Sequence, residues 1–321
     1  MKAARRSRKK SKLVAKFKSI LVYSFISIVV LGFLINTFLS NILEYSFALA
    51  QDSSNIDFKS SDKYPIVLIS KNSIGEVKAF NLIIFDKTLK KVIEYNLSSN
   101  IKFESDSEEK DIEELLTQYK NYSGSDEKAK LKKVIEDNIS LKVGDILISN
   151  DTEYPTLKNV ITGSASIFEL WEIKETLDLP LRDLYLMYSF SKNLEFKDFK
   201  NYQISNFESL DSALRETHLD SVIGKEGLSI SIINATGVSG LAREQGRFLS
   251  NYGGRVVDLA NSDEVSETSK VIFKSQNDSV KKIADLLGIT TIIPASEVGY
   301  TYPEIIKSDI VVVLGLDKVG K

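Results

Sequence analysis

From Ile20 to Leu39 the chain reads ILVYSFISIVVLGFLINTFL, a run with no charged side chain. At about 1.5 Å per residue, a helix of that length spans about 30 Å, the thickness of a bilayer's hydrocarbon core. Ser24, Ser27, Asn36 and Thr37 are polar but can hydrogen-bond within such a helix. Residues 1–19 carry nine Lys and Arg side chains and no acid. That bias holds the N-terminus in the cytoplasm and directs the chain beyond the run across the membrane. The expected order is a basic cytoplasmic tail (1–19), a transmembrane helix (20–39), a linker (40–63) and an exported remainder. Ala48-Leu49-Ala50 has the small-x-small form of a signal cleavage site. The apolar run exceeds the usual ~7–15 residues of a signal peptide, however, so a retained anchor is expected. The chain then sits in the cell membrane as a single-pass protein with its bulk extracytoplasmic.

Charge narrows the partners. The whole chain holds 42 Lys and Arg against 44 Asp and Glu, but nine of the basic residues precede the span. The exported part is therefore acidic, and a nucleic-acid partner is excluded on electrostatic grounds. Cysteine is absent, which removes disulfides, thiolate nucleophiles and Cys-ligated metals. His218 stands alone in a polar stretch and reads as a surface residue. Trp171, among Phe168, Leu170 and Ile173, reads as a core residue rather than a sugar platform.

Periodicity divides the exported part into two α/β units, expected at 64–222 and 223–321. In the first, strands are predicted at 64–69, 79–85, 91–97, 141–149 and 183–190. Helical periods cover 106–119, 126–139 and 167–177. Residues 193–227 carry weaker signals. In the second, strands are predicted at 228–233, 255–259, 270–273, 290–293 and 309–314. Helices are predicted at 237–252 and 278–287, closed by Gly253-Gly254 and Gly288. The order β-α-β-β-α-β-β argues for two helices covering one sheet.

The chemistry-bearing motifs are few. Asn234-Ala235-Thr236-Gly237-Val238-Ser239-Gly240 joins a strand to a helix start, where free N–H groups and the helix dipole favour an anion. Asn234, Thr236, Gly237, Ser239 and Gly240 are the candidate binding residues. The turn lacks GxGxxG spacing and a P-loop Lys, and its glycines also suit a tight turn with Thr236 or Ser239 as helix cap. The acidic run 107–114 places Ile112, Leu115, Leu116 and Tyr119 on one face and reads as a solvated helix. Asp258, Asp263, Glu264 and Glu267 match no EF-hand spacing, so no metal site is assigned. Ser-x-x-Lys pairs such as Ser125/Lys128 and Ser279/Lys282 lack the companion motifs of serine–lysine hydrolases. No catalytic residue and no cofactor is assigned from the residues themselves.

Residues 227–317 resemble the LytR C-terminal domain of bacterial envelope proteins. The resemblance rests on Ile230 to Ala242 (ISIINATGVSGLA), on Glu267 to Phe273 (ETSKVIF) and on Asp309 to Gly315 (DIVVVLG), in that order. It implies a tethered domain outside the membrane, as the topology does. The first block resembles a degenerate LytR–CpsA–Psr domain through Leu82 to Asn100 and through Leu179-Pro180-Leu181-Arg182-Asp183-Leu184-Tyr185. Active members of that family transfer glycopolymers from a polyprenyl pyrophosphate carrier to peptidoglycan, using Arg, Asp and Mg²⁺.

The departures point away from that chemistry. Ser98-Ser99-Asn100 stands where the family has Pro-Arg-Asp, and Ala79-Phe80-Asn81 where it has Ser-Asp-Thr. From Lys63 to Ile139 there is no arginine, and Lys lacks its bidentate fork for pyrophosphate. The expectation is a non-catalytic cell-envelope protein binding a cell-wall polymer or an envelope protein. The alternative is a glycopolymer phosphotransferase with rearranged residues, the one case that requires Mg²⁺.

Overall fold

Strand β1 (Lys63–Lys71) is apolar without a break because both of its faces are covered. Ile66 and Leu68 enter one core, and Val67 and Ile69 enter another on the opposite face. A computed structural model describes residues 58, 59, 61–105, 107–119, 125–166, 168–170, 173, 181–217, 219–298 and 302–319. The predicted anchor at 20–39, Trp171 and His218 lie outside the described residues. No helix among the described residues is long and apolar enough to cross a membrane.

The strands continue with β2 (Val77–Asp86), β3 (Lys91–Leu97), β4 (Phe103–Ser105), β5 (Glu108–Lys110), β6 (Ile146–Asn150) and β7 (Phe199–Ile204). The first sheet has the order β6-β1-β2-β3-β7. Its centre is antiparallel, while β6 and β7 run parallel to their neighbours. One face packs against α1 (Ile112–Gln118), α2 (Ser125–Ile139) and α5 (Phe207–Thr217). The other meets α3 (Tyr154–Ile161) and α4 (Leu181–Ser191).

Several local outcomes differ from the sequence expectation: β6 is Ile146–Asn150 rather than the expected 141–149, and helix α3 lies outside the expected elements. Asp183 to Phe190, expected as a strand, belongs to helix α4. Leu184, Met187 and Tyr188 are buried at helical spacing while Tyr185 is exposed, so the core selected a period of 3.6 over alternation. The stretch 106–119 is not one helix. Glu108–Lys110 pairs with Phe103–Ser105, and α1 starts only where Asp111 and Glu114 close a capping box. Strand β7 lies in the weak stretch after residue 193. Its middle is exposed and polar, as an edge strand tolerates, so it shows no apolar alternation.

Beyond a short helix α6 (Ser221–Glu226), the second sheet contains β8 (Ser229–Asn234), β9 (Arg255–Asn261), β10 (Lys270–Phe273), β11 (Thr291–Pro294) and β12 (Ile310–Leu314). Their order is β11-β10-β12-β8-β9. Helices α7 (Leu241–Asn251) and α8 (Asp278–Leu287) cover one face. Short α9 (Ala295–Val298) and α10 (Glu304–Lys307) lie by the smaller core on the other. Ser54–Leu179 and Asp183–Lys321 form one compact unit that contains both sheets.

Candidate functional site

Three segments distant in sequence meet at the C-terminal ends of β8 and β12. Ala235 N–H donates to Leu314 O at 2.9 Å, Ser266 N–H to Ala235 O at 2.8 Å, and Leu316 N–H to Ser266 O at 2.9 Å. Ser269 closes the arrangement: its N–H and hydroxyl both donate to Asp317 Oδ1 at 2.7 Å, and its oxygen accepts from Gly315 N–H at 2.8 Å. Loops beyond the carboxyl ends of parallel strands are where open α/β sheets place ligands.

Within this crown the turn 234–240 is held from inside. Asn234 Oδ1 accepts from Thr236 N–H at 3.1 Å and from its hydroxyl at 2.6 Å. Asn234 Nδ2 donates to Val238 O at 2.7 Å, and Val238 N–H donates to Thr236 Oγ1 at 3.0 Å. Asn234 and Thr236 are buried, so they shape the turn, whereas Gly237, Ser239 and Gly240 are exposed. Neither Thr236 nor Ser239 caps the helix. Gly240 occupies that position with φ at 93° and no side-chain cap. A Cβ at Gly237 or Gly240 would meet nothing within 4 Å, so the backbone there faces open space. Of the five predicted binding residues, three remain available to a ligand.

The first sheet carries a second polar group, where the pairing of β2 with β3 begins at Asn81 and Asn96. Asn81 lies opposite Asn96, and its Nδ2 donates to the Tyr154 hydroxyl at 3.0 Å. Asn96 Nδ2 donates to Asn201 Oδ1 at 2.7 Å, and Asn201 Nδ2 donates to Glu94 Oε2 at 3.1 Å. Lys158 of α3 forms an ion pair with the other oxygen of Glu94. Asn81 was legible as a departure from the family motif. Glu94, Lys158 and Asn201 were not, because only the packing of α3 and β7 gathers them.

The donor set does not suit Mg²⁺. One carboxylate already paired with an ammonium and three carboxamides supply little of the negative charge a hard cation needs. Among the described residues no three Asp, Glu or His side chains are placed to share a metal. Asp258, from the acidic group of the second sheet, is instead paired with Lys307 at 3.2 Å.

Three solved structures are similar to parts of this chain. The transcriptional regulator yvhJ from Bacillus subtilis is 9% identical, covering 49% of this chain and 97% of its own, with a TM-score of 0.36. Protein gbs0355 from Streptococcus agalactiae is 10% identical over 46% of this chain and 78% of its own, with a TM-score of 0.32. The LytR-CPS2A-psr family protein YwtF (TagT), solved with octaprenyl pyrophosphate lipid, is 12% identical over 73% and 94%, with a TM-score of 0.25. Likenesses of that size carry no functional argument. No curated protein matches the chain. The family described as "LytR cell envelope-related transcriptional attenuator" matches residues 227–317, which hold the second sheet and all three converging segments. This chain therefore carries a LytR C-terminal domain in its second α/β half.

Proposed function

We propose that this is a membrane-anchored, extracytoplasmic cell-envelope protein that binds a wall polymer or an envelope partner without turning it over. The observation that carries the absence of turnover is the linked set Asn96, Asn201, Glu94 and Lys158, beside Asn81 held by Tyr154. Transfer from a pyrophosphate needs guanidinium groups and metal-bound carboxylates facing the substrate. Here the one carboxylate is neutralised by Lys158, Asn96 donates to Asn201, and Asn81 is engaged by the Tyr154 hydroxyl. Binding falls to the loop crown of the second sheet, where Gly237, Ser239 and Gly240 present open backbone. The predicted span at 20–39 fixes that crown outside the cytoplasm and close to the membrane.

The test uses the full chain in detergent micelles. One arm measures co-sedimentation with purified sacculi that retain their wall polymer. The other titrates octaprenyl pyrophosphate with and without Mg²⁺ and follows release of inorganic phosphate, as water cleaves the P–O–P bond and leaves octaprenyl monophosphate. Retention on sacculi without release supports the reading. Mg²⁺-dependent release would replace it with the phosphotransferase that the family resemblance implies.

A further inference from the structure

One end of the first sheet differs in character from the rest of the acidic exported body. The β2–β3 turn lies there, since Asp86 pairs with Lys91, and so does the start of β7, since Phe199 pairs with Val92. The turn presents Leu89, 60% exposed, and the short 3-10 turn before β7 presents Phe196, 95% exposed. Single exposed apolar residues are ordinary, but these two sit at one end among lysines. The turns and strand ends here carry Lys59, Lys87, Lys90, Lys91, Lys192 and Lys197, the last paired with Glu195 at 2.8 Å, against Asp62, Glu195 and Asp198. Two further acids at this end are already engaged: Asp86 is buried against Lys63, and Asp220 pairs with Lys282 at 3.5 Å.

The chain also enters the body at this end. Phe58 packs edge-on against Phe85, the last residue but one of β2, and against Phe190 near the end of α4. Lys87 Nζ donates to Phe58 O at 2.7 Å and lies over its ring. Residues 40–57 are all that separates the predicted span from this point. Eighteen residues reach at most about 60 Å even when fully extended. A surface held that close to a bilayer meets it at high effective concentration, so a weak contact suffices.

We propose that this end of the first sheet docks on anionic lipid, with Leu89 and Phe196 entering the headgroup boundary and the lysines pairing with lipid phosphates. The inference rests on the anchored topology proposed above. Docking would stand the first sheet on the membrane by its β2–β3 end, with the Asn81–Asn96 end directed away from it.

The absence of cysteine makes single-cysteine labelling direct. Leu89→Cys, Phe196→Cys and Ile74→Cys each carry an environment-sensitive dye in the full chain. Ile74 is the control, 76% exposed in the β1–β2 turn at the opposite end of the sheet. The proteins are reconstituted in vesicles of phosphatidylcholine with phosphatidylglycerol, and in phosphatidylcholine alone, with nitroxide-headgroup lipid as quencher. Blue-shifted, lipid-quenched emission is expected at 89 and 196 but not at 74. That signal should be lost without the anionic lipid and in a Lys90→Glu, Lys197→Glu background. Equal signals at all three positions, or signals indifferent to phosphatidylglycerol, overturn the docking surface. Flotation of the unlabelled chain is read in parallel. A chain that floats with an unshifted dye overturns this inference alone, whereas a chain that does not float overturns the anchored topology and this inference with it.

Discussion

Arg247 Nε donates to Asp211 Oδ2 at 2.6 Å, joining α7 of the second sheet to α5 of the first. The other oxygen of Asp211 accepts from Asn251 Nδ2 at 3.1 Å. Asn251 is fully buried and also donates toward Ser140 O at 3.3 Å and Ile139 O at 3.4 Å. Next to it, the Tyr252 ring completes the core of the first sheet, and its hydroxyl accepts from Lys142 N–H at 3.2 Å. The two sheets are thus sealed by polar groups whose partners come from both halves.

Replacing Asp211 by Ala removes the acceptor of Arg247 Nε and the nearest of the three acceptors of Asn251 Nδ2. Arg247 is 27% exposed, which tempers the loss, so about 2 kcal/mol of stability should disappear. Urea unfolding of the full chain in micelles measures it. The unsubstituted protein should unfold its two sheets in one transition, because neither half keeps its seam alone. Separate transitions for the two sheets in that protein would contradict the seam.

Asn234→Ala removes the acceptor for Thr236 and the donor to Val238, and should cost about 1–3 kcal/mol. Gly240→Ala should cost about 1–2 kcal/mol from its left-handed backbone alone, since the added Cβ meets no neighbour. Ser239→Ala should leave the melting temperature unchanged and weaken retention on sacculi. Equal effects of Ser239→Ala on stability and binding would argue that the crown is only structural.

Burial, opposed in part by the hydrogen bond to Thr217, pushes the Tyr95 phenol up to about 12. An unfolded chain releases that proton near pH 10. Between those values the folded state keeps a proton that the unfolded state has lost, so stability falls as pH rises through that window. Tyr95→Phe should make the alkaline loss shallower. Chemical denaturation at stepped alkaline pH reads the difference, and parallel curves for the two proteins would refute it.

Asp309 shows the opposite linkage. Ser229 donates its hydroxyl at 2.6 Å and its N–H at 2.9 Å to the same Asp309 oxygen, holding that carboxyl below its ordinary value. The stabilisation is complete above the unfolded carboxylate range, about pH 4, and fades as pH falls through the lower folded value. Asp309→Asn should lower the melting temperature near neutrality, and the gap should close on acidification. A gap that stays constant with pH would assign the effect to packing instead.

Much of the architecture is written locally. Short apolar runs mark β8, β10 and β12, whose side chains divide between two cores. Gly288 ends α8 in the left-handed conformation because glycine alone enters it without strain. The 20–39 run and the basic tail before it predict a topology from length and charge, with no reference to the fold. The five candidate residues of the 234–240 turn were visible as a strand–turn–helix junction, although their division into buried and exposed was not.

Tertiary contact decided the rest. Leu184, Met187 and Tyr188 fit a strand or a helix when read alone, and burial against the first sheet chose the helix. Strand β7 exists because β3 offers it an edge more than a hundred residues away. Asp211 and Arg247 are single charges on separate amphipathic helices, and Glu94 and Lys158 look like any solvated pair. Hydrophobic periodicity reports only which face a residue turns inward. Which charges then meet depends on how separate elements pack, a long-range property that no local pattern encodes.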